Sequence, residues 1–280
     1  MNRNFKSILA LGMAAFLVGC GSNGSKVDPL RYANRNVDFD QYFTEIKADA
    51  SPAKPDEKGF IRRWTIIEPI NKPNSGNSGF TDSYILAELT KEYFKNQFTA
   101  DIKALPKTGD KVIVESEAPR AGGRGGFGGF GGGMMGGGAP AAAAAPSTVK
   151  DTLTWHSVDS KLFNIKLIRF ATGTSNGQKR YGLIFNAFTV INCDQDIPNV
   201  RLAAGSNASS IWWVNGEKVL TLQADRRMVA DDGMSKRITL KKGKNLLRVA
   251  VINGPGMSDM CARFYNEDGT ILKNYTITNN

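Results

Sequence analysis

From Thr152 to the carboxyl end, apolar and polar residues alternate in short runs separated by turn formers. A two-residue period of this kind marks strands that bury one face. Leu153-Thr154-Trp155-His156-Ser157-Val158 is one such run, and Phe163 to Phe170 with Arg180 to Ile191 reads as a strand pair closed across Thr172–Gln178. Val200 to Ala204 leads through Gly205-Ser206-Asn207-Ala208 to the strand of Trp212 and Trp213. That strand ends at Asn215-Gly216, and an Asn-Gly pair supplies the two positive-φ residues of a type I′ hairpin. Ile238 to Val251 reads as two short strands joined by a charged turn at Lys241 to Asn245. Met260 to Tyr265, a turn at 266–269 and Ile271 to Ile277 complete the pattern.

Upstream, Trp64 and Ile66 fit an opening strand that ends at Pro69, followed by a Gly/Asn-rich loop over 71–79. Thr81, Asp82 and Ser83 offer amino-terminal caps to a helix predicted from Ser83 to Gln97. Its apolar face carries Ile85, Leu86, Leu89 and Tyr93 and would cover one end or edge of the sheets. Lys111 to Glu115 is a brief strand. Residues 117–148 then read as a disordered low-complexity insertion, rich in Gly and Ala with a Met134-Met135 pair. Such a segment buries too little apolar surface to offset its backbone entropy, and a long surface loop costs little to close. The reading is an all-β, antiparallel β-sandwich over 56–280 with one or two short helices. Residues 20–55 read as a polar spacer, in which Asp40 to Ile46 forms at most a helical turn.

The amino terminus explains what the spacer is for. Arg3 and Lys6 precede an apolar stretch, Ile8 to Val18, of signal-peptide length and too short to span a bilayer. Leu17-Val18-Gly19-Cys20 resembles the lipobox of bacterial lipoproteins, which implies cleavage after residue 19 and acylation of Cys20. Several acyl chains on one cysteine anchor a protein durably. Gly21, rather than Asp, implies by the same resemblance an outer-membrane destination, facing the periplasm or the outside.

Charge narrows the partners. The chain carries a formal +10, and cleavage removes Arg3 and Lys6 but no acid. A basic surface can meet nucleic acid, anionic lipid or acidic polysaccharide. No nucleic-acid motif supports the first. Positive charge gathers from Arg226 to Arg248, either as a solvated loop face or as a surface for an anionic glycan. Cys193 and Cys261 remain after processing, and an exported protein permits a disulfide between them.

Candidate chemistry is sparse. Gly173-Thr174-Ser175-Asn176-Gly177 spells the G-x-S-x-G of serine esterases, but that elbow needs a helix after the serine, and here strand residues follow. His156, the only histidine, precedes Ser175, whereas the hydrolase order places it last. One histidine excludes paired-histidine metal sites. Asp231 and Asp232 are adjacent, as turn caps or as ligands to a structural calcium; no other cofactor is expected.

Most of Phe60 to Tyr275 apart from the low-complexity insertion, and most specifically the last seventy residues, resembles the jelly-roll, galactose-binding-like modules attached to secreted esterases and glycoside hydrolases of polysaccharide-degrading bacteria. The carriers are the hairpin Trp213-Val214-Asn215-Gly216-Glu217-Lys218-Val219, the loop 226–232, and Leu240-Lys241-Lys242-Gly243-Lys244-Asn245-Leu246-Leu247. Glu68 stands where those modules carry glycine. The resemblance implies an Arg227–Asp232 ion pair and a core role for Trp213. Trp212 is then left for the other face, beside Arg226, Arg227, Asp231 and Asp232 as candidate ligand contacts. The function these features favour is a non-catalytic outer-membrane lipoprotein that binds carbohydrate or supports polysaccharide capture. A carbohydrate esterase using Ser175 and His156 is the alternative. A third is an assembly lipoprotein that meets outer-membrane protein partners through its Gly/Met-rich insertion.

Overall fold

Neighbouring strands in the sequence are distributed between two layers. The computed structural model describes residues 39–47, 50–71, 81–117, 148–171, 182–224, 226–253 and 258–280. Among these the strands are β1 (Phe43–Glu45), β2 (Arg63–Ile67), β3 (Ile70–Asn71), β4 (Lys111–Glu117) and β5 (Thr148–Ser160). They continue with β6 (Ile165–Lys166), β7 (Leu183–Cys193), β8 (Ile197–Ser206), β9 (Ser209–Val214) and β10 (Glu217–Leu222). The last are β11 (Gly233–Met234), β12 (Ile238–Leu240), β13 (Gly243–Ile252), β14 (Asp259–Tyr265) and β15 (Thr276–Thr278). Ten strands form the larger sheet along the path β1-β5-β2-β7-β13-β9-β10, with β3 and β15 also on β7 and β4 on β5. Five form the smaller sheet along β11-β8-β14-β6, with β12 also on β8. The pairings are antiparallel, so the fold is the expected all-β one.

The larger sheet is covered on both sides. Phe185, Ala187 and Ile191 of β7 point between the sheets with Trp64, Trp212, Val249 and Phe264. Ile184, Phe188 and Val190 point the other way, toward Ile85 and Leu89 of helix α1 (Asp82–Thr90). Burial on both faces is why β7 reads as a nearly continuous apolar run rather than an alternating one. Trp64 and Trp212 meet edge to face in the central layer, 6.2 Å between ring centroids.

Four expectations need correction. Residues 163–170 do not pair with β7. β6 joins β14 in the smaller sheet, and Leu167–Phe170 is a 3₁₀ turn that buries Leu167 and Phe170. β6 and β7 therefore lie in different sheets.

Helix α1 stops at Thr90, well short of Gln97, where Lys91 is extended. Beyond it, Arg248 donates to the carbonyls of Gln97 and Thr99, and Asn96 at φ 65° excludes a right-handed helix running through to Gln97. The spacer is shorter than predicted, because β1 pairs β5 and Phe39 and Phe43 are buried in the central layer. Over 271–277 only an Ile271 bridge and the start of β15 are strand.

Other expectations are met. The β9–β10 turn has Asn215 at φ 52° and Gly216 at φ 83°, the type I′ signature. Glu117 and Thr148 are cross-strand partners at the ends of β4 and β5; the Gly/Ala-rich segment between them lies outside the described residues. So do the predicted signal sequence and Cys20. No helix among the described residues is long and apolar enough to cross a membrane.

Candidate functional site

The pleat of the smaller sheet decides which side chains reach its outer face. Leu202, Ala204, Ala262 and Phe264 point inward, so Arg201, Ala203, Arg263 and Tyr265 point outward. Register sets them in rows: Tyr265 opposite Arg201, and Arg263 opposite Ala203, which in turn faces Met234. The loop 226–232 lies across this face at Gly205. A Cβ at Gly205 would sit 1.8 Å from the Val229 carbonyl oxygen, so only glycine lets the loop come this close.

That approach brings Asp231, at φ 57°, onto Arg263. Arg263 Nε donates to Asp231 Oδ1 at 2.9 Å, Nη2 donates to Oδ2, and Nη1 donates to the Lys58 carbonyl at 2.8 Å. Tyr265 Oη donates to Asp231 Oδ2 at 2.7 Å. The guanidinium lies over the Phe60 ring at 4.6 Å and the Tyr265 ring at 5.1 Å. Phe60 in turn stacks on Phe163, 4.9 Å between centroids. Phe163, Met234 and Val229 of the loop are 40%, 44% and 56% exposed, whereas Phe60 is buried. The result is a strip of aromatic rings, guanidinium groups and one carboxylate, held rigid before any ligand arrives.

The charges reinforce one another. Burial alone would raise the Asp231 carboxyl, but hydrogen bonds from Arg263 and Tyr265 and the Arg263 charge hold it below the usual range. The hydrogen bond to Asp231 raises Arg263 in turn. Burial and then the Asp231 hydrogen bond raise the Tyr265 phenol. All three keep their ordinary ionisation at neutral pH.

The predicted residues divide around this face. Trp212 is not on a ligand face. It is fully buried between the sheets, its Nε1 donating to Ser210 Oγ at 2.9 Å. Pairing opposite Val249 of β13 fixes that orientation. Trp213 takes the opposite side, partly buried 5.4 Å from Phe98, so the two tryptophans exchange the roles expected of them. The ion pair of the loop is also displaced by one residue. Arg226 Nε donates to Asp232 Oδ2 at 2.8 Å, whereas Arg227 is exposed.

Asp231 and Asp232 each pair with an arginine, and no cluster of three or more metal-binding side chains occurs among the described residues. Cys193 and Cys261 are free, in different sheets, with burial pushing their thiols up to about 11 and about 12. The allowed disulfide is not formed. His156 sits between two carboxylates, Nε2 3.4 Å from Glu68 Oε1 and Nδ1 3.6 Å from Glu45 Oε1. Ser175 lies outside the described residues.

Arg263, Tyr265, Phe60, Phe163 and Arg201 were not singled out from the sequence. The i, i+2 spacing of Arg263 and Tyr265 was a usable signal that both share a face. Their partner Asp231 belongs to a distant loop, and no local pattern joins them.

No protein-family model matches this chain, and no curated protein matches it in sequence. Several solved structures align with parts of it, two of them as follows. A PA14 sugar-binding domain from an RTX adhesin aligns with a TM-score of 0.30 and 11% identity, over 36% of this chain and 56% of that one. The GH31 alpha-xylosidase from Xanthomonas citri aligns with a TM-score of 0.24 and 10% identity, over 44% of this chain and 15% of that one. The chain spans only part of the length of either. Alignments this slight leave the function to the residues themselves.

Proposed function

We propose that this chain is a lipid-anchored outer-membrane protein whose β-sandwich binds carbohydrate, without catalysis, through the outer face of its smaller sheet. The observation that carries the reading is the preorganised strip Phe163–Phe60–Arg263–Tyr265 with Asp231 locked above it. A sugar presents a C–H face that packs on an exposed ring, here Phe163, and hydroxyls that planar polar groups hold in place. Because the polar groups are already fixed by one another, a ligand spends little free energy on ordering them. The non-catalytic part is supported by His156, whose two ring nitrogens are directed at Glu45 and Glu68. The anchor rests on Leu17-Val18-Gly19-Cys20.

A glycan array probed with the full-length protein in detergent tests the binding. Binding to a polysaccharide class, weakened about tenfold or more (roughly 1.4 kcal/mol) by Arg263→Ala, is expected. Silence across the array contradicts it. Membrane fractionation of Cys20→Ser tests the anchor: the variant should leave the membrane fraction.

A further inference from the structure

Most charged groups around this face are paired. Arg226 has Asp232, Arg263 has Asp231, Arg237 has Glu267 at 3.7 Å, and Lys241 has Asp196 at 3.8 Å. Lys236 has Glu217. Arg201 differs. It stands on β8, directly across from Tyr265. Among the described residues its buried Nε has no acceptor, and its Nη1 meets only the Met234 thioether at 3.8 Å. A thioether is a weak acceptor, and a buried guanidinium nitrogen without an oxygen partner is costly. Glu267, two residues beyond Tyr265, is held by Arg237 and by Asn199 Nδ2 at 3.1 Å. The side chain is half-buried, so a ligand reaches it from the open side of the sheet.

We infer that Arg201 is the anion subsite of the carbohydrate face and takes the carboxylate of a uronic acid residue. This assignment rests on the carbohydrate reading above. The guanidinium fork matches a carboxylate in the two-pronged geometry that a thioether cannot supply. Directly opposed residues on a sheet have Cβ atoms about 5 Å apart. A sugar over the Tyr265–Arg263 row therefore carries its C6 carboxyl within reach of Arg201. The chain stays basic after loss of Arg3 and Lys6, which favours such a polymer electrostatically. A sulfate ester shares the oxyanion chemistry but not the planarity.

The test is calorimetric titration of the full-length protein in detergent with oligogalacturonate, its methyl-esterified form, and a sulfated oligosaccharide of matched length. Oligogalacturonate should bind at least about tenfold more tightly than its methyl ester, with the gap shrinking at high salt. Arg201→Gln should abolish that preference, with a melting temperature no lower than that of the wild type, and Arg201→Lys should restore it only in part. Equal binding of acid and ester, or an unchanged preference in Arg201→Gln, overturns the subsite and leaves the carbohydrate reading standing. Tighter binding of the sulfated sugar overturns the carboxylate assignment. Silence toward every sugar overturns both the subsite and the reading beneath it.

Discussion

Asn215 Nδ2 donates to Asn245 Oδ1 at 2.9 Å, tying the tip of the β9–β10 hairpin to the first turn of β13. Asn215 Oδ1 accepts from the Leu246 backbone at 2.8 Å. Asn245 is fully buried, accepts from the Lys241 amide at 2.8 Å and donates to the Lys241 carbonyl at 2.7 Å. Two sequence motifs thirty residues apart are therefore one hydrogen-bonded unit that pins the corner where the chain moves from β12 in the smaller sheet to β13 in the larger. Asn245→Ala leaves several buried groups unpaired and should destabilise by about 2–4 kcal/mol in urea unfolding. With Asn215→Ala, a double-mutant cycle should show coupling on the order of 1 kcal/mol. Strict additivity contradicts the unit.

Trp212 and Trp213 give opposite predictions. Trp212→Ala opens a cavity between the sheets and should cost about 3–5 kcal/mol, whereas Trp213→Ala, at a partly covered site, should cost distinctly less. Thermal or urea unfolding of the two variants measures this. The reverse order would mean that the register of β9 is shifted by one residue.

Gly205→Ala is a probe of the loop rather than of the core. Its methyl would collide with the Val229 carbonyl, so the loop 226–232 must lift and carry Asp231 away from Arg263. Glycan affinity should fall about as far as in Asp231→Ala, while the larger sheet keeps its hydrogen-exchange protection. Unaltered affinity would mean that the loop plays no part in the face.

Asp231 also sets a pH dependence. Its folded-state pKa lies below the unfolded value, so its contribution is complete above about pH 4 and lost as pH falls through the folded value. Stability should therefore be insensitive to this group between pH 5 and pH 8 and decline below about pH 4. Asp231→Asn should be less stable at neutral pH and should show a shallower acid decline. An acid profile identical to wild type contradicts the coupling with Arg263.

How much of this was legible in the sequence depends on range. Asn215-Gly216 announced its turn because the backbone requirement is local. The opening strand at Trp64 and the strand at Lys111 were legible for the same reason. Alternation placed Trp212 and Trp213 on opposite faces but could not say which face was which. That is settled by pairing with β13, some thirty-five residues away. Phe163 to Phe170 carried an apolar pattern that suits a strand, yet Leu167 and Phe170 are buried equally well by a 3₁₀ turn. The spacer hid Phe39 and Phe43 because two isolated aromatic residues make no period. Asp231 and Arg263 were the least legible. Their contact depends on a glycine in a third element, Gly205, allowing a loop to lie flat.

The central claim is that ligand meets the outer face of the smaller sheet rather than the helix-covered side of the larger. The most direct measurement is the affinity of the full-length protein for its best array glycan, compared between Phe163→Ala and Phe98→Ala. Phe163 borders the strip, and Phe98 packs on Trp213 on the far side of the larger sheet. The account predicts at least about a tenfold loss for Phe163→Ala and none for Phe98→Ala. A loss confined to Phe98→Ala would contradict it.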